Sequence, residues 1–116
     1  MADRLEPQSQ EVAVSVVVVA VLEPKAGRVQ EILDAFAIVS PLVHQETGCE
    51  LYAAHTDDES VYMVERWTTE ADLAAHAAGA PFEKLTGLIG DVLARPIEVH
   101  TLRAVPLGVE ALGTIQ

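Results

Sequence analysis

Residues 12–22 are dominated by valine, and from Val16 to Leu22 the segment holds no polar side chain. β-Branched residues favour extended backbone, and successive side chains of a strand point to opposite faces. This strand is therefore apolar on both faces and must be covered on both. One layer of helices covers one face, and something else has to cover the other. Ser15 interrupts the run, which is far short of the ~20 apolar residues that cross a bilayer as a helix.

The pattern after this strand supplies the helical layer. Glu23-Pro24-Lys25 ends the strand. Val29, Ile32, Leu33, Phe36 and Val39 then recur at helical spacing. Ser40-Pro41 reads as a cap and first-turn proline that restarts a short turn, and Gly48 as a left-handed helix cap. Residues 49–55 and 61–67 read as two strands joined by the polar turn Thr56-Asp57-Asp58-Glu59-Ser60. Strand alternation puts Val61, Met63, Glu65 and Trp67 on one face, and Tyr62, Val64 and Arg66 on the other. Thr69 with Asp72 resembles a capping box and opens a helix to about His76. Gly79-Ala80-Pro81 breaks it. A second helix from Pro81 carries Phe82, Leu85, Ile89 and Val92, and residues 97–105 read as the last strand.

The order is β-α-β-β-α-β, the split arrangement of ferredoxin-like α+β folds. It predicts a four-stranded antiparallel sheet with helices on one face only. The other face is apolar too, because of the first strand. Two copies packed sheet to sheet would bury it, so a homodimer or higher oligomer is the expectation. One domain over residues 12–105 is expected, after a flexible arm at 1–11 and before a tail at 106–116. Leu107, Val109, Leu112 and Ile115 make that tail apolar enough to dock on a neighbouring surface.

Composition narrows the partners. Acidic residues outnumber basic ones 18 to 7, for a formal charge of −11. Nucleic acid and anionic membrane surfaces need clustered Lys and Arg, so neither is expected as a partner. The single cysteine, Cys49, excludes an intrachain disulfide and fits a reducing compartment. Residues 1–11 are acidic and lack the basic-then-apolar order of a secretory leader, so a cytoplasmic location is expected. His44, His55 and His100 are scattered without metal-ligand spacing, and phosphate-cradling glycine motifs are missing. Neither metal nor cofactor is expected.

Several segments together carry a family likeness. Glu46-Thr47-Gly48-Cys49-Glu50-Leu51-Tyr52, Val61-Tyr62-Met63-Val64-Glu65-Arg66-Trp67, Ala71-Asp72-Leu73-Ala74-Ala75-His76 and Phe82-Glu83-Lys84-Leu85 stand in the order found in antibiotic-biosynthesis-type monooxygenases. The chain resembles that family over roughly residues 12–105. The resemblance implies a dimeric α+β barrel, and an activity that oxygenates quinols, anthrones or related polyphenols with O₂, without metal or flavin. Two departures stand out. Pro81 occupies the place of a second family histidine, and the sequence contains no Asn. Haem-degrading relatives use Asn, Trp and His, and Val19 and Ala20 stand near the Asn position, so haem degradation is not expected.

The candidate site residues follow from chemistry and resemblance together. His76 is the candidate base for a phenolic proton, or else a helix-end histidine that meets the dipole. Trp67 is a pocket wall for an aromatic ring, or a buried strand-end residue. Glu65 shares the face of Trp67. If buried it needs a raised pKa or a partner, such as Arg103 or another subunit's Arg66. Tyr52, Phe82, Trp67 and Arg66 are the candidate substrate contacts, with Arg66 or Arg103 as the cation for a phenolate. Cys49 reads as packing. The expected activity is cofactor-independent monooxygenation of a small aromatic substrate. The alternative is a non-catalytic dimeric small-molecule-binding or stress-response protein of the same fold.

Overall fold

The computed structural model describes residues 15–115, so the expected arm at 1–11 and the start of the first strand lie outside the described residues. Strand β1 is Val16–Leu22, β2 is Cys49–Thr56, β3 is Val61–Trp67 and β4 is Glu98–Arg103. Their spatial order is β2-β3-β1-β4, with every neighbouring pair antiparallel. Helices α1 (Val29–Val43), α2 (Glu70–Ala77) and α3 (Ala80–Ile89) lie on one face, and a short α4 (Glu110–Gly113) follows the sheet. This is the ferredoxin-like α+β fold that the element order implies. No described helix is long and apolar enough to cross a membrane.

The core forms where β1 and β3 turn their alternate residues toward the helices. Val18, Ala20, Leu22, Val61, Met63 and Trp67 pack against Ile32, Ala35, Phe36, Val39 and Val43 of α1 and Leu85 and Ile89 of α3. Each such aliphatic side chain contributes about 1.5–3 kcal/mol by leaving water. The hairpin between β2 and β3 is built as its polar turn suggests. Asp57 Oδ1 accepts from the amides of Glu59 and Ser60 at 2.9 and 2.8 Å, and Asp58 takes the left-handed conformation at φ 71°.

Three local expectations are corrected. Helix α1 does not restart at Ser40-Pro41 but runs through Pro41 to Val43. Proline there removes a single ladder donor near the helix end, and the fully buried Val39 and Val43 on either side keep the turn packed. Gly48 is left-handed (φ 80°), but α1 has already ended at His44, so the glycine turns the chain into β2 instead of capping the helix. Strand β4 is shorter than residues 97–105, and every one of its residues is exposed. It is an edge strand, and the helices cover β1 and β3 instead.

The opposite face of the sheet carries Val17, Val19, Val21, Val64 and Arg66. Val17 is nonetheless buried, because residues 104–115 turn back against it and share small clefts with it. Arg66 holds that return: its Nη1 donates to the carbonyl of Ile115, and its Nε donates to Glu50 at 2.7 Å. Burial works against the charge of Glu50, but hydrogen bonds from Thr68, Ser15 and Arg66 outweigh it and hold its carboxyl below the usual range.

Candidate active site

The elements converge on His76. Thr69 caps α2 by accepting from the Asp72 amide at 3.0 Å, which fixes where the helix starts. His76 follows two turns later, in the last turn of α2, and points inward at 6% exposure. Gly48 brings the approach to β2 against this helix. A Cβ at position 48 would collide with the Asp72 side chain, so the glycine answers both to its left-handed backbone and to close packing. The same approach places Glu46 beside His76, with Nδ1 of the ring 2.8 Å from Glu46 Oε1. A carboxylate only accepts, so Nδ1 carries the hydrogen and Nε2 of the neutral ring keeps its lone pair.

His76 is enclosed by rings. The Trp67 indole stacks on it, while Tyr52 and Phe82 meet it edge-on at centroid distances of 5.6 and 5.7 Å. Trp67 is fully buried and its Nε1 donates to Glu65 Oε1 at 2.9 Å. Glu65 is itself only 6% exposed. Burial pushes its carboxyl above the usual carboxylate range, against the opposing pull of the Trp67 hydrogen bond and of His76. Burial also pushes the Tyr52 phenol well above its ordinary value, with Glu65 and Glu46 adding to the effect. Tyr52 therefore remains a neutral hydroxyl.

A cavity of about 110 Å³ opens between the sheet and the helices. Apolar side chains make up most of its wall: Leu22, Phe36, Met63, Leu73, Phe82 and Leu85 among them. Among the described residues, only Tyr52, Glu65 and His76 bring polar side chains to it. Glu65 spends one oxygen on Trp67 and His76 spends Nδ1 on Glu46. Among the described residues, no hydrogen bond engages Glu65 Oε2, the Tyr52 hydroxyl or His76 Nε2. Buried polar atoms are nearly always paired, so three unpaired ones around an apolar hollow mark it as the candidate ligand site. Ile97 and Val99 complete the lining from the β4 side, and Val99 stays half exposed.

The structure thus brings together four of the residues singled out from the sequence, His76, Glu65, Tyr52 and Phe82, on one cavity. Trp67 stands behind His76 and outside the lining, so it supports the site and does not wall it. Arg66 is on the opposite face of the sheet, engaged with Glu50 and Ile115. The alternation of β3 that turns Glu65 and Trp67 inward necessarily turns Arg66 outward. Within the chain Glu65 has the Trp67 indole as its partner, not Arg103. Glu46 was not singled out, although it opens the Glu46-Thr47-Gly48-Cys49 motif. Thirty positions separate it from His76, and no spacing rule links two loops that only the fold joins. His55 faces Tyr62 across the hairpin and is absent from the cavity. Burial pushes the Cys49 thiol up, which makes it a poor nucleophile. Among the described residues, no group of three or more His, Cys, Asp or Glu is gathered as metal ligands would be.

Residues 15–86 match the family model described as antibiotic biosynthesis monooxygenase. No curated protein sequence matches the chain. Among solved structures, a conserved protein from Methanosarcina mazei Go1 superposes with a TM-score of 0.73 at 24% identity, covering 78% of this chain and 93% of the other. A candidate antibiotic biosynthesis monooxygenase from Nitrosomonas europaea superposes with a TM-score of 0.74 at 16% identity, covering 82% and 94%. One from Caulobacter crescentus gives 0.71 at 22% identity, covering 80% and 92%. At these identities the likeness is one of fold.

Proposed function

The chain belongs to the antibiotic biosynthesis monooxygenase family, and on that premise we propose that it oxygenates a small electron-rich phenol, quinol or anthrone with O₂ and no cofactor. The observation that carries this reading is the Glu46–His76 pair at the edge of an apolar, ring-lined cavity. Fold alone supports many activities, so the weight rests on this pair and its surroundings.

The chemistry asks little of the protein. The substrate binds with its ring among Phe82, Phe36 and Tyr52. His76 Nε2 takes the phenolic proton, and Glu46 steadies the imidazolium that forms. The resulting anion is electron-rich enough to give one electron to O₂. Superoxide and the substrate radical combine at a ring carbon, and the His76 imidazolium returns its proton to the peroxide to give a hydroperoxide. Loss of water from that hydroperoxide leaves a carbonyl, so a CH₂ centre and O₂ become C=O and H₂O. All four electrons needed to reduce O₂ come from the substrate carbon as CH₂ becomes C=O, and no external reductant enters. The protein supplies orientation, a base and exclusion of water.

In this reading the valine-rich outer face of the sheet is where a second copy packs. The direct test of the activity is oxygen uptake with a small panel of quinols and anthrones. Stoichiometric O₂ consumption that is lost on replacing His76 supports the proposal. Tight binding of the same rings without turnover favours a non-catalytic binding protein.

A further inference from the structure

The cavity has a charge character that its apolar wall conceals. Among the described residues, no Lys or Arg lines it, and its only carboxyl group is Glu65. The next carboxylate, Glu46, sits directly behind His76. Arg66, the cation nearest in sequence to Glu65, is committed to Glu50 and the Ile115 carbonyl on the other side of the sheet. We propose that Glu65 is a specificity-determining residue: its unengaged Oε2 accepts a hydrogen bond from an uncharged hydroxyl-bearing ring, and an acceptor there with no cation beside it disfavours rings that carry a carboxylate.

The geometry gives each unpaired atom a complement. Oε1 of Glu65 is held by the Trp67 indole at 2.9 Å, which fixes the carboxyl plane and leaves Oε2 toward the cavity as an acceptor. The Tyr52 hydroxyl, which keeps its proton, donates to an oxygen of the ligand. His76 Nε2 accepts. A neutral ring with hydroxyl groups satisfies all three. A ring carboxylate satisfies only Tyr52, sets acceptor against acceptor at Glu65 Oε2 and leaves an anion buried without a cation. Anion selection in such a site would need an arginine, and β3 turns its own arginine outward. A positive charge on the ligand is tolerated, because a carboxylate and the faces of Phe82 and Tyr52 both favour it. This inference rests on the ring-binding role proposed for the cavity, but not on turnover.

The test measures binding of three matched probes, phenol, benzylamine and benzoate, at neutral pH. Trp67 is the only tryptophan in the chain, it stacks on His76 and it bonds Glu65, so its fluorescence reports occupancy, with ligand-observed NMR as a second readout. The wild-type protein should bind phenol and benzylamine at least about tenfold more tightly than benzoate. Glu65→Gln keeps an acceptor for the indole, and should narrow the phenol-to-benzoate ratio by about tenfold or more. A role limited to packing would change all three affinities together and leave that ratio alone, which would overturn the proposal. Benzoate binding as tightly as phenol to the wild-type protein would overturn it with no variant needed. If none of the probes binds, the ring-binding reading of the cavity falls first and takes this inference with it.

Discussion

The indole of Trp67 and the imidazole of His76 lie stacked, with centroids 4.6 Å apart and planes inclined by 30°. One comes from the end of β3 and the other from the last turn of α2. The contact locks the ring between Trp67 on one side and the Glu46 carboxylate at Nδ1. A ring held this way needs little reorganisation on accepting a proton, the property that the base role proposed for His76 would use.

Replacing His76 with Ala should lower turnover on a confirmed quinol or anthrone by about 10²-fold or more, the usual loss for a general base, while the circular dichroism spectrum is retained. Full activity in this variant would move the base elsewhere, with Glu65 the next group on the cavity.

Glu46→Gln should act through His76. The neutral amide still meets Nδ1 but no longer stabilises the imidazolium, so kcat should fall more than KM rises. A variant with unchanged kcat and KM would show that the pair is structural only.

Trp67→Phe removes the donor that satisfies Glu65 Oε1. A buried acceptor left unpaired costs about 1–3 kcal/mol, so chemical denaturation should show a loss of that order. Because Trp67 stands behind the lining, affinity for the ring should change less than stability does.

Glu65 has a folded-state pKa raised above its unfolded value. The folded state therefore holds the proton more tightly, and the stability this contributes is fully present below the unfolded pKa and lost as pH rises through the folded pKa. Glu50, whose carboxyl is depressed, works in the opposite sense: its contribution is present above the unfolded value and lost as pH falls through the folded one. Glu65→Gln should remove the first of these losses. Its melting temperature relative to wild type should rise as pH climbs from the ordinary carboxylate range toward neutrality. A difference that does not vary with pH would contradict the assignment.

Association should occur through the valine-rich outer face. Val19→Asp should weaken self-association and stability together, because it places a charge without a partner in a covered face. Light scattering that finds a single chain of wild-type protein at micromolar concentration would rule this arrangement out.

The sequence by itself determined the element order, the antiparallel hairpin, the capped start of α2, the break before α3 and the two-sided apolar character of β1. Each is a local property: β-branched density, period-two alternation, a Thr–Asp cap, a Gly-Ala-Pro break. Alternation along β3 likewise determined that Glu65 and Trp67 share a face, and that Arg66 lies opposite them. What only the tertiary structure decided is which of these residues meet. The Glu46–His76 pair joins the loop after α1 to the end of α2, and depends on a left-handed glycine packed against Asp72. The placement of Trp67 behind the cavity depends on how far α2 advances over the sheet before His76. The return of residues 104–115 over Val17 depends on Arg66 finding a carbonyl from the far end of the chain. Such pairings are set by loop closure and packing across the whole domain, where no periodicity in the sequence records them.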